Sequence, residues 1–245
     1  MLRVSIFPIL CGIFLAFSAC SGDKPKEKVP VNEGKPEPEA QETSTAKPNQ
    51  SRELPPHATE KVTILPFDMD DLPAEIDMPG KSVGGARWKD RNGMNWLIIT
   101  ELTEGEYFSK GYQSNIYARC YNTRDGALKE YWAIKDFNQD IYQNRNYIEK
   151  SAKITDVDKD GFAESTFIYE CSNGGMDPSG FKLMMHVMGE KYPIRGQLAV
   201  DEAYLGEQAE KKIDPVFDKI APEMKAYASK AWDDFQQQWY DLLRE

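Results

Sequence analysis

Gly84-Gly85-Ala86-Arg87-Trp88-Lys89, then Asp90-Arg91-Asn92-Gly93, then Met94-Asn95-Trp96-Leu97-Ile98-Ile99-Thr100-Glu101-Leu102 is the stretch that decides the fold. An Asn-Gly pair between two strand-like runs is a strong short-range hairpin signal, because both residues tolerate the backbone that a tight reversal needs. Trp96-Leu97-Ile98-Ile99 is apolar on both parities. A strand of that kind suits the middle of a sheet, covered on both faces.

The same pattern spreads outward. Lys61-Val62-Thr63-Ile64-Leu65 reads as a first strand, and Pro66, Pro73 and Pro79 punctuate the segment after it. Residues 113–121 and 127–137 read as strands about the turn Thr123-Arg124-Asp125-Gly126. Residues 147–155, 162–171, 181–188 and 191–197 continue the series. Short turns between successive strands imply an antiparallel meander. The period then changes. Ile220, Met224, Tyr227, Ala228, Ala231, Trp232, Phe235, Trp239, Leu242 and Leu243 recur at steps of three and four. That spacing predicts one amphipathic helix of about 25 residues, some 37 Å long at the helical rise, covering a face of the sheet. Pro222 fits its first turn, where the missing N–H costs nothing. The fold class expected is mainly β (α+β): an antiparallel meander with a calcium-type hairpin loop and one long C-terminal helix.

The loop is Asp156-Val157-Asp158-Lys159-Asp160-Gly161-Phe162-Ala163-Glu164. Carboxylates at its first, third and fifth positions can converge on one cation, and Gly161 permits the sharp bend. The Phe162 carbonyl adds an oxygen, and Glu164 another, directly or through water. An oxygen-only set of Asp156, Asp158, Asp160, Phe162 and Glu164 selects a hard cation such as Ca²⁺. An EF-hand would carry Glu at position twelve, where Phe167 stands, and would be flanked by helices. The loop therefore resembles the Asp-x-Asp-x-Asp-Gly loop of extracellular β proteins, with the ion in a structural role. Without an ion it is an acidic turn whose aspartates repel one another.

The N-terminus addresses the protein. Arg3 precedes a short apolar run, and Ser18-Ala19 stand directly before Cys20. A positive start, a short apolar core and small residues read as a secretory signal. Small residues before a cysteine resemble the bacterial lipobox, in which the cysteine is acylated. Residues 1–19 are thus expected as a lipoprotein signal, 20–58 as a disordered tether and 59–245 as a single β-rich domain. Residues 21–58 are rich in Pro, Glu, Lys, Ser and Thr. Such a segment reaches roughly 35 Å as a coil and roughly 120 Å when fully extended. Cys20 would then attach the chain to a membrane.

The formal charge is −10. A chain this acidic repels nucleic acid, so no DNA or RNA partner is expected. Of the 4 cysteines, Cys11 lies in the signal and Cys20 is the acylation candidate. Cys120 and Cys171 fall on apolar faces of predicted strands. In an oxidising compartment they can form a disulfide, worth about 4 kcal/mol in the chain-entropy view, or stay as separate buried thiols. Two histidines, His57 and His186, offer no catalytic pairing with a nucleophile. Gly80-Lys81-Ser82-Val83-Gly84 matches the nucleophile elbow literally, but a hairpin follows where a helix is required. Trp88, Trp96, Tyr131 and Trp132 can form a sugar-stacking platform or, as strand aromatics usually do, a core.

Several segments together resemble one protein family. They are Gly80-Lys81, Gly84 to Asp90, Asn92-Gly93 and Thr100-Glu101. Trp132-Ala133-Ile134-Lys135-Asp136-Phe137, Ile154 to Glu164 with the acidic loop, Leu183-Met184-Met185-His186 and Lys191-Tyr192-Pro193-Ile194-Arg195-Gly196 complete the set. The family is one of exported proteins of Gram-negative bacteria labelled surface polysaccharide biosynthesis protein. The resemblance spans most of residues 80–200 and implies an envelope role without catalytic residues to carry over. The expectation is a lipid-anchored envelope protein, outer-membrane attached, acting as a non-enzymatic binding or assembly factor. Its partners would be polysaccharide or an envelope protein. The alternative is a glycan-acting hydrolase or transferase using carboxylates that nothing in the sequence singles out.

Overall fold

Gly93 adopts φ +86° and reverses the chain between strands β2 (Lys81–Asp90) and β3 (Gly93–Glu104). The computed structural model describes residues 61–106, 112–137, 144–172, 178–201 and 209–244, all within one compact unit. The expected signal and tether lie outside the described residues. Around the β2–β3 hairpin, β1 (Thr63–Leu65), β4 (Gln113–Asn122) and β5 (Lys129–Phe137) complete a five-stranded antiparallel sheet in chain order β1-β2-β3-β4-β5.

A second sheet takes the rest of the strands. Its order is β11-β10-β9-β8-β6, with β7 beside β8. Here β6 is Asn144–Tyr147, β7 Lys153–Thr155, β8 Glu164–Ser172, β9 Ser179–Val187, β10 Glu190–Leu198 and β11 Glu210–Ile213. The fold is thus mainly β and antiparallel, as the alternation implies, with the meander divided into two sheets.

Three apolar clusters hold the layers. Leu97, Ile99, Ile116, Ala118 and Ile134 of the first sheet meet Ile154, Phe167, Tyr169 and Met184 of the second. Trp96 and Ile98, on the other face of β3, lie under Phe67, Leu72, Ile76 and Met78. So β3 is covered on both sides, which explains its apolar residues on both parities. On the outer face of the second sheet, Phe181, Leu183, Met185 and Ile194 pack against Met224, Ala228, Trp232 and Phe235. These last belong to α1 (Pro222–Leu242), a helix of 21 residues that begins with Pro222 in its first turn. It is shorter than the periodicity suggests because Pro222 sets its first turn, which leaves Ile220 as the end of a preceding 3-10 helix, Pro215–Lys219, and Ala221 as the cap.

The run 147–155, expected as one strand, is two. Lys150 sits at φ +62°, and the chain lifts off the sheet between β6 and β7. The Ser151 hydroxyl fills the gap: it accepts from Ile168 N–H at 3.0 Å, while Ile168 C=O accepts both Ile148 N–H at 3.0 Å and that hydroxyl at 3.2 Å. A side chain thereby replaces a missing strand residue, and no backbone group of Ile168 is stranded.

Candidate metal site

The acidic loop joins β7 to β8, and Thr155 pairs with Glu164 at the base of that hairpin. Lys159 at φ +60° and Gly161 at φ +82° bend it. Carboxylate oxygens of Asp156, Asp158 and Glu164 all lie within 4.8 Å of one another, close enough to share one metal ion. Asp160 is turned elsewhere. Its carboxylate accepts the Phe162 N–H at 2.8 Å, and its carbonyl accepts Arg91 Nη1 at 3.0 Å. The structure therefore brings together three of the residues expected as ligands and sets the Asp160 side chain to cap the bend. The Phe162 ring carries the Arg91 guanidinium at 4.7 Å.

Two carboxyls of the loop, Glu164 and Asp160, are set in different surroundings. Glu164 is buried, and its carboxylate accepts Val157 N–H at 2.8 Å and the Thr155 hydroxyl at 3.3 Å. Burial pushes its carboxyl up to about 7; the Val157 hydrogen bond opposes this rise and the charge of Asp158 adds to it. Burial also raises the Asp160 carboxyl, against its hydrogen bond from Phe162, with the charges of Asp158 and Asp156 adding. Negative charge is thus crowded into one bend, an arrangement that a divalent cation relieves.

Asp90 ties this loop to the first sheet, a role its sequence context did not announce. Asp90 is 2% exposed and accepts four hydrogen bonds. Asn92 N–H at 2.7 Å and Asn95 Nδ2 at 2.9 Å reach one oxygen. Trp88 Nε1 at 2.9 Å and Ala163 N–H at 3.0 Å reach the other. Arg91 N–H also donates to Gly161 C=O at 3.0 Å. The Asn92 bond is an Asx turn, so Asp90 shapes the β2–β3 reversal and holds the loop's exit at once. Only the turn half of that was readable from Asp90-Arg91-Asn92-Gly93.

The remaining candidates separate. Cys120 and Cys171 are free thiols, so the disulfide held open by the sequence is not formed. Cys120 stands opposite Trp132, which stacks on His186, while Cys171 stands opposite Gly180. Those β9 positions are six residues apart, roughly 20 Å along a strand, whereas a bridge needs Cα atoms within about 7 Å. Burial pushes both thiols upward in pKa. Trp88 and Trp96 are buried on opposite faces of the first sheet and form core, not a platform. His186 is stacked on Trp132 at 3.6 Å between centroids, and burial, helped by the charge of Lys191, depresses it to about 3. Ser82 lies in β2, so the elbow-like run is strand. Cys20 lies outside the described residues. No family model, curated protein or solved structure matches the chain.

Proposed function

We propose that the chain is an exported protein of the Gram-negative envelope, acylated at Cys20. In this reading it is a non-enzymatic binding or assembly factor for surface polysaccharide, and its 156–164 loop takes Ca²⁺ as a structural fastener. The observation that carries the ion is the convergence of Asp156, Asp158 and Glu164 within 4.8 Å in a hairpin loop anchored to the other sheet through Asp90 and Arg91. An ion there would fix the loop and, with it, the contact between the sheets at this end. The envelope address rests on residues 1–20, and the polysaccharide link on the family resemblance.

Extracellular calcium modules bind in the range of about 10⁻⁴–10⁻³ M. A tenfold excess over Kd stabilises by about 1.4 kcal/mol. For a domain of this size that is a melting rise of roughly 3–6 °C. The chain from Ser21 onward, which keeps all three apolar clusters, is melted in millimolar calcium and in chelator. The rise is expected in the wild type and absent in Asp156→Ala with Asp158→Ala. A wild type that melts at one temperature in both buffers overturns the calcium role. Palmitate labelling of the full chain in a Gram-negative host is expected to vanish in Cys20→Ala; label retained in that variant overturns the anchor. Retention on surface polysaccharide without shortening of the glycan is the outcome expected of a binding factor. Release of smaller glycan products would instead make it an enzyme.

A further inference from the structure

We propose that the groove between α1 and the broken edge of the second sheet binds a single-tailed aliphatic carboxylate, with its tail along the helix and its head at Lys153. The groove encloses about 700 Å³, within the usual range of small-molecule sites. Ile168, Leu183 and Phe235 are buried beneath it, and Ile148, Tyr227 and Ala231 are half-buried in its walls. Tyr227, Ala231 and Phe235 recur at steps of four and Gln238 closes the row. The groove thus follows three turns of α1, roughly 16 Å at the helical rise.

An extended peptide would bring an N–H and a C=O per residue to a largely apolar floor, with a cost for each left unpaired. An alkyl tail brings none.

The wall exists because the edge strand is broken. Lys150, a non-glycine residue in the left-handed region, lifts residues 149–151 off the sheet, and Ser151 stitches the break to Ile168. Left-handed backbone at a non-glycine residue costs of order 1–3 kcal/mol and concentrates at functional sites. A continuous strand here would leave no wall.

The rim fixes the charge of the ligand. Lys150 pairs with Glu149 at 3.4 Å, and Lys230 with Asp234 at 2.5 Å. Lys153 has no ion-pair partner among the described residues. Ile154 points into the inter-sheet cluster, so strand alternation turns Lys153 to the helix side, beside Thr166. One unmatched amine beside an apolar trough fits a monoanion with one tail. The net acidity of the protein does not prevent this, because charges farther than about 8 Å are screened at physiological salt.

Titration calorimetry on the chain from Ser21 onward, below micelle concentrations, tests the proposal with three probes: dodecanoate, dodecanol and dodecyltrimethylammonium. Dodecanoate is expected to bind one to one and at least tenfold more tightly than dodecyltrimethylammonium. Ala231→Trp, which fills the trough, is expected to weaken dodecanoate at least tenfold, and Gln238→Trp serves at the groove's end if that variant does not fold. Lys153→Glu is expected to weaken dodecanoate about tenfold and leave dodecanol within twofold. The proposal is overturned by the absence of saturable dodecanoate binding. It is equally overturned by affinity that survives the filled trough, or by a Lys153→Glu loss that is equal for dodecanoate and dodecanol.

Discussion

His186 lies flat against Trp132 at an interplanar angle of 3°, with its Nδ1 buried and unpartnered among the described residues. The ring can keep this place only while neutral, since Lys191 across the β9–β10 pair and the loss of water both oppose a charge. Its native pKa near 3 lies below the ordinary value of about 6.5. Between those two values the unfolded chain takes up a proton that the native state refuses. Stability from this residue is therefore complete above pH 6.5 and falls as pH drops, by up to about 1.4 kcal/mol per pH unit. Urea unfolding at pH 7.5 and pH 5.0 is expected to show a loss about 2 kcal/mol larger in wild type than in His186→Phe, which keeps the stack and removes the titration. Equal losses in the two proteins would show that His186 is protonated without cost. At the same scale, Asp160 shows how a side chain with ligand chemistry can be diverted: the Phe162 N–H is the nearer partner, and the carboxylate caps it.

Helix α1 depends on one missing side chain beneath it. A Cβ on Gly196 would stand 2.0 Å from Glu210 C=O and 2.6 Å from the Trp232 ring. Trp232 is fully buried, and β11 pairs with β10 through Gly196 and Lys211. Both the helix and the edge strand close on the same point, so relief of one contact worsens the other. Gly196→Ala is expected to destabilise by about 3 kcal/mol, the upper range for overfilled cores, with weakened near-ultraviolet circular dichroism from the helix aromatics. A urea midpoint equal to wild type would mean that α1 and β11 can shift without loss. The β11 element itself had no signal in the sequence. Glu210-Lys211-Lys212-Ile213 carries no apolar alternation, and its extended state comes from pairing with the open edge of β10.

Across the whole molecule, a half-buried charge network joins the sheets at the end away from His186. Asp136 of β5 accepts Tyr169 OH at 2.6 Å and Arg145 Nε at 3.3 Å, and also receives Lys182 Nζ. Burial alone would raise the Asp136 carboxyl, but the hydrogen bonds from Lys182 and Tyr169 and the charges of Lys182 and Arg145 outweigh it and hold it below the usual range. Asp136→Asn removes the carboxylate charge that Lys182 and Arg145 share and is expected to cost about 2 kcal/mol in urea unfolding. A change below about 0.5 kcal/mol would show that solvent already screens the network. What the sequence determined by itself is local. Period-two runs made strands, Asn92-Gly93 made a reversal, steps of three and four made α1, and alternate acids made a bend with converging carboxylates. Each of these is fixed by sterics and side-chain direction within about ten residues. Only the tertiary structure decided that the meander divides after β5, that Cys120 and Cys171 stand at opposite ends, that Asp90 anchors the acidic loop, and that residues 149–151 leave the sheet. Those outcomes depend on which distant faces meet, because burial and hydrogen-bond satisfaction are properties of the assembled layers and not of any one segment.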